Sequence, residues 1–134
     1  MLLLDSEAIS ALAHGPAKRR DKVRALIAQI RARELPVAAV AAVLAEVVRG
    51  RPADASVFAG LRRERVEVHA VDTWVGVRAG QLLGAIGVGS KMAIDAFTVA
   101  VADLAGGAVV ATSDPRDLIR LAGQATRVSV ADIT

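Results

Sequence analysis

Cysteine and tyrosine are absent from this 134-residue chain. Without cysteine there is no disulfide, no zinc ribbon and no thiol nucleophile. The aromatic residues are Phe58, Trp74 and Phe97. These are too few for a base-stacking platform of the RRM or OB type, so phosphates, metal and loops would have to hold any nucleic acid. Trp74 and Phe97 read as core. His14 and His69 show no ligand spacing, and Ser6, Ser90 and Ser113 lack a nucleophile-elbow context. Gly84-Ala85-Ile86-Gly87-Val88-Gly89 matches neither a dinucleotide fingerprint nor a P-loop and reads as a helix exit and turn. No apolar run approaches the roughly 18–20 residues of a membrane span. The opening Met1-Leu2-Leu3-Leu4-Asp5 lacks the basic flank and apolar length of a signal peptide. It reads as a first strand, with a cytoplasmic, membrane-free protein as the default expectation.

What is present is apolar and small. The chain is 54% hydrophobic and 23% charged. Val and Ala supply much of the apolar content, which suits buried parallel strands. The length fits one compact domain over 1–134. A net charge of +3 and a pI near 10.2 permit a polyanionic partner without specifying one. Short Val-rich runs predict strands at Leu2–Asp5, Pro36–Val40, Val66–Val71, Ala108–Thr112 and Arg127–Val130. Segments of helical period predict helices at Val23–Arg33, Ala41–Arg49, Ala53–Glu64, Thr73–Ile86, Ala93–Ala105 and Pro115–Ala122. The polar stretch His14–Lys22 reads as a loop or a helix start. The alternation predicts an α/β fold whose central sheet is mostly parallel, has about five strands and is flanked by helices.

The chemistry rests on acids in apolar surroundings. Asp5 ends an apolar run, and Asp95 lies inside Met92-Ala93-Ile94-Asp95-Ala96-Phe97-Thr98-Val99. An ionised carboxylate so placed must find a partner or shift its pKa. One way to satisfy both is a divalent cation held by several acids. Each acid also has an ordinary reading. Asp5 would lie near a helix N-terminus with Ser6 as the cap. Glu46 would be a surface residue pairing with Arg49. Asp95 would sit in the first turn of a buried helix, where the dipole contributes only ~0.3–1 kcal/mol, against several for desolvation. Asp114, before Pro115, would be a helix N-cap, with Asp117 at N3. Asp5 and Asp114 both follow predicted strands and are expected at the carboxyl edge of the sheet, where parallel sheets bind ligands.

In combination these segments resemble the PIN-domain ribonucleases, and among them the VapC toxins of toxin–antitoxin pairs. Leu2-Leu3-Leu4-Asp5-Ser6 resembles the family's first strand with its acid and hydroxyl. Leu44-Ala45-Glu46-Val47-Val48-Arg49-Gly50 resembles the second-acid helix, and Met92-Ala93-Ile94-Asp95-Ala96-Phe97 the third. Val109-Val110-Ala111-Thr112-Ser113-Asp114-Pro115-Arg116-Asp117-Leu118 resembles the late strand and its polar turn. The resemblance spans essentially the whole chain. It implies a PIN-like fold and Mg²⁺- or Mn²⁺-dependent cleavage of RNA by Asp5, Glu46, Asp95 and Asp114. Asp117, Ser6, Thr112 and Ser113 would support them. It also implies inhibition by a cognate VapB-type antitoxin, and a homodimer. Gly87–Ile94 departs from the pattern: such toxins more often carry a polar or acidic residue near the third acid, and here Lys91 is either a phosphate contact or a surface lysine. Lys18-Arg19-Arg20 and Arg62-Arg63 are candidate RNA guides or solvated helix ends. The rival readings are a PIN-like interaction protein that no longer cuts, and a receiver-like domain, which would want clustered early acids and a late lysine.

Overall fold

A computed structural model describes residues 1–134. Five parallel strands form one sheet: β1 (Leu2–Leu4), β2 (Val37–Val40), β3 (Glu67–His69), β4 (Ala108–Thr112) and β5 (Val128–Asp132), in the order β3-β2-β1-β4-β5. The middle strand, β1, pairs Leu2 with Val37 on one side and with Val109 on the other. Seven α-helices cover the sheet: α1 (Ser6–His14), α2 (Ala17–Ala32), α3 (Leu44–Val47), α4 (Asp54–Arg63), α5 (Thr73–Ala85), α6 (Ala93–Leu104) and α7 (Pro115–Ala122). The mostly parallel sheet expected from the sequence is parallel throughout. No helix is long and apolar enough to cross a membrane.

The sheet has a core on each face, so its central strands are apolar at every position rather than at alternate ones. Leu3, Ala38, Val40 and Val110 point into the core built by α5, α6 and α7, through Leu82, Val99, Leu118 and Leu121. Leu2, Leu4, Val37 and Ala39 point the other way, against Ile9, Leu12, Val23, Ile27, Val57 and Leu61 of α1, α2 and α4. Full burial of one such Leu or Ile contributes roughly 1.5–3 kcal/mol. Small residues at Ala96, Ala100 and Ala102 let α6 lie deep in the molecule. Its exit turn requires glycine: Gly107 has φ 122°, and a Cβ there would stand 2.7 Å from the Arg127 carbonyl oxygen. That carbonyl instead accepts the Ala108 N–H, which seats β4 beside β5.

Several local expectations need correction. α1 lies outside the predicted helix ranges, and the helix start expected with Ser6 as its cap is capped by Asp5 instead: the Asp5 carboxylate accepts the Ala8 N–H at 2.9 Å. Helix α2 begins at Ala17, so the polar stretch ahead of Val23 is a helix start. The helix expected over Ala41–Arg49 is a 3₁₀ turn at Ala41–Val43 followed by the single turn of α3. Trp74 is not core. It is 72% exposed, because it lies on the outer face of α5 while Val75, Ala79 and Leu82 face inward.

Candidate active site

Chain order places the site. β1 runs into α1 on one face of the sheet, and β4 runs into α7 on the other. Two adjacent strands whose connections diverge in this way leave a crevice beyond their carboxyl ends. Asp5 and Asp114 both lie at its mouth. The backbone fixes their relation: the Asp5 N–H donates to the Ala111 carbonyl at 3.2 Å, which sets Asp5 beside the end of β4.

Asp5 is 6% exposed. Burial raises its pKa from 3.8 to about 6, and the nearby Glu7 and Asp95 carboxylates push the same way. The Thr112 hydroxyl and the Ala8 N–H, both donating to Asp5, oppose the rise without cancelling it. Thr112 itself is fully buried and also accepts the Asp114 N–H at 3.0 Å, so one hydroxyl links the acid after β1 to the acid after β4. Asp95, in the first turn of α6, is likewise raised from 3.8 to about 6. Burial is the largest cause, followed by repulsion from Glu46, Asp117 and Asp114. The same electrostatic neighbourhood therefore contains all four principal acids and Asp117. None of the ion pairs in the protein involves Asp5, Glu7, Glu46 or Asp95.

The ordinary readings fare unevenly. Arg49 does not neutralise Glu46. Its guanidinium donates to the carbonyls of Ala45, Glu46 and Val48, and the exposed Glu46 carboxylate stays unpaired. Asp114 occupies the N-cap position before Pro115, but its side chain makes no capping bond. It is mostly exposed and stands 3.9 Å from the still more exposed Arg116. Asp117 is half-exposed, 3.9 Å from Arg120. Ser6 is the first residue of α1. Ser113 donates to Glu7 at 3.0 Å. Glu7 is the site residue that sequence reading missed. An exposed acid in a first helical turn is ordinary, and only the Ser113 bond and its effect on Asp5 place it at the site. Of the basic clusters, Arg63 lies 3.8 Å from Glu64, and Arg19 faces the carboxylate of Asp132, which is itself held low chiefly by Thr134.

No three of these acids stand close enough to form a ready-made ligand set. The donors nevertheless suit a hard divalent cation. All are oxygens, two are held protonatable by burial and mutual repulsion, and Asp5, Glu46 and Asp95 take part in no ion pair. Mg²⁺ and Mn²⁺ accept such sites because they retain several waters and need few direct carboxylates. Asp5, Glu46, Asp95 and Asp114 are the residues able to hold one.

A doubly covered parallel sheet with an acidic crevice at its switch point defines a class of α/β protein that works at the strand ends. The PIN domain model matches residues 2–124, and the chain belongs to the PIN-domain family. Its fold is similar to a chain in the crystal structure of VapBC2 from Rickettsia felis bound to a DNA fragment from their promoter. The TM-score there is 0.70 at 15% identity, over 98% of each chain. It is also similar to a chain of DNA-bound VapBC from Salmonella typhimurium, with a TM-score of 0.66 at 20% identity, over 99% of this chain and 98% of that one. No curated protein sequence matches significantly.

Proposed function

We propose that this protein is a Mg²⁺- or Mn²⁺-dependent endoribonuclease and the toxin of a toxin–antitoxin pair. The observation that carries the proposal is the pair Asp5 and Asp95. Both are raised to about 6, surrounded by further carboxylates and without a basic partner. A protein gains nothing in stability from that arrangement, so a bound cation is its physical rationale.

In this reading Asp5 would hold the ion most rigidly, since Ala8 N–H and Thr112 orient its carboxylate. Asp95 and Asp114 would complete the oxygen set. Glu46, exposed and unpaired, is free to turn toward a water and accept its proton as the water oxygen bonds to phosphorus, the P–O bond to one ribose breaks, and the departing ribose oxygen takes a proton from solvent. When bound, the ion supplies water activation and offsets charge building on the phosphate. Thr112 keeps Asp5 in place, Ser113 donates to Glu7, Ser6 offers a further hydroxyl at the mouth, and Asp117 adds negative potential.

The VapBC neighbours motivate the partner: a small VapB-type antitoxin whose basic side chain would pair with these acids, as arginine does with carboxylates. A homodimer belongs to the same reading. The test is cleavage of structured and single-stranded RNA by Asp5→Asn and Asp95→Asn, with folding followed by circular dichroism. Both should be folded and inactive; full metal-dependent cleavage by both would refute the assignment. The open spacing of the carboxylates favours one rival, a PIN-like interaction protein that does not cut. Titration with Mn²⁺ separates the two, since the rival would neither bind metal nor cleave.

A further inference from the structure

Two cavities open side by side where the chain enters α6. One, of about 180 Å³, is bounded by Glu46, Asp95 and the Ser90–Ile94 segment. The other, of about 370 Å³, is bounded by Val88, Gly89, Asp117 and Arg120. Lys91 and Met92 line both and form the wall between them. Lys91 is the basic residue of the acid cavity; it is exposed and takes no part in any ion pair. Arg120 meets Asp117 only at 3.9 Å and is half-exposed, so most of its donors are free.

A polyanion approaching this crevice meets the repulsion of Glu7, Glu46, Asp95, Asp114 and Asp117. A metal ion compensates for that at the scissile phosphate alone. The next phosphate along the strand needs its own counter-charge, and Lys91 with Arg120 supplies it one cavity away. We infer that Lys91 and Arg120 bind the backbone phosphate adjacent to the scissile one, with Met92 as an apolar floor beneath the intervening ribose. The ligand class is a single-stranded RNA phosphodiester, and the inference rests on the nuclease reading. Asp117 lines the same cavity, 3.9 Å from Arg120, and leaves most of the guanidinium donors free for a phosphate. The segment Gly87–Ile94, which departs from the family pattern, thereby acquires a role in binding through Lys91 and Met92.

The experiment has two arms. In the first, Lys91→Ala, Arg120→Ala and the double variant are assayed with Mn²⁺ on short single-stranded oligoribonucleotides with and without one extra terminal phosphate. Each lost charge-assisted contact should raise KM about tenfold with kcat nearly unchanged, and flatten the slope of log KM against log salt by about 0.7. The extra phosphate should no longer help the double variant, and Lys91→Arg should recover most of the KM. Cleavage by the wild type with the same KM and salt slope in the double variant overturns the inference and leaves the nuclease reading intact. In the second arm, a fluorescein-labelled oligouridylate is titrated at low ionic strength into Asp95→Asn, with and without the two substitutions. Weaker binding on adding them supports the subsite even if no RNA is ever cut; no binding, or equal binding, overturns it.

Discussion

Helix α6 carries an aspartate at each end, and the two behave in opposite ways. Asp95 lies in the first turn, where the helix dipole favours an anion. Asp103 lies in the last turn, where the dipole opposes one. By the dipole alone Asp95 should be the comfortable acid. Instead its pKa is raised to about 6 by burial and by Glu46, Asp117 and Asp114. Burial raises Asp103 too, but its pKa ends up lowered, because the Thr126 N–H donates to it at 2.8 Å and Arg78 Nε at 2.7 Å. The magnitudes explain the inversion. A helix dipole supplies ~0.3–1 kcal/mol, whereas each hydrogen bond to a charged group supplies about 1.5–3. At one end of α6 the fold provides partners and makes a structural clamp. At the other it withholds them and leaves a candidate site.

The strongest way to break this contrast is to neutralise one acid at each end. Asp95→Asn should lower metal-dependent RNA cleavage by roughly 10²-fold or more, the scale of losing a positioned group in general acid–base or metal chemistry. Asp5→Asn should do the same. Asp103→Asn should leave the rate per folded molecule within about twofold, since no part of it faces the crevice. Initial rates normalised to circular-dichroism signal distinguish the three.

Next comes pH, with the sign fixed by the direction of each shift. Asp5 has a folded pKa near 6 against an ordinary 3.8, so its contribution favours folding below pH 3.8 and is lost as pH rises through 6. The loss for this well-buried group is about 3 kcal/mol. Asp95 acts in the same sense, reduced by its partial exposure. Asp103, lowered, does the reverse: its contribution is present above the ordinary carboxylate range and lost below it. The metal-free protein should therefore gain stability on mild acidification from neutral pH, until the Asp103 clamp begins to fail. Mg²⁺ or Mn²⁺ should raise the melting temperature near neutrality and much less below pH 6, where protons compete for Asp5 and Asp95. In Asp5→Asn both the slope and the metal effect should shrink, as measured by thermal melts with and without EDTA.

The clamp has its own test. Arg78 Nε pairs with Asp103, and its Nη2 donates to the Gln124 carbonyl at 3.0 Å, which ties α5 and α6 to the turn before β5. Arg78→Met should cost about 1–2 kcal/mol by leaving Asp103 with a single backbone donor, and lower the melting temperature by a few degrees. Cleavage per folded molecule should not change. A loss of activity matching that of Asp95→Asn would mean that the two ends of α6 are coupled.

The clamp also shows what a sequence conceals. β4 and α7 were legible to the residue, and α6 to within one, because continuous apolar runs and an Asp-Pro start are local signals. Asp95 stood out for the same reason: an acid in an apolar run must be accounted for. Arg78 and Asp103 are ordinary charges on helix faces, and only tertiary packing reveals their pairing. Glu46 is similar. Its single helical turn is too short to carry a pattern, so only the family resemblance singles it out. α1 carries the helical period at Ala8, Ile9, Ala11 and Leu12, but it is short and follows directly on β1, so its apolar residues read as a continuation of the Leu2–Leu4 run. Trp74 was misplaced because hydrophobicity says that a side chain prefers burial, and says nothing of which face of an amphipathic helix it occupies.

The finest version of the comparison lies within the site, between consecutive hydroxyls. Thr112 is fully buried and serves Asp5 and Asp114 together, whereas Ser113 is half-buried and reaches only Glu7. Thr112→Val keeps the shape and removes the hydroxyl. Asp5 then loses a donor and its pKa climbs further, so the acid limb of the pH–rate profile should move to higher pH. Ser113→Ala removes a solvent-exposed bond whose net contribution is below about 0.5 kcal/mol. It should lower cleavage by less than about threefold and leave the pH–rate profile in place, because Glu7 acts on Asp5 through its charge and not through the serine. A displaced profile in Ser113→Ala would make Glu7 a positioned member of the acid set, held by Ser113 as Asp5 is held by Thr112.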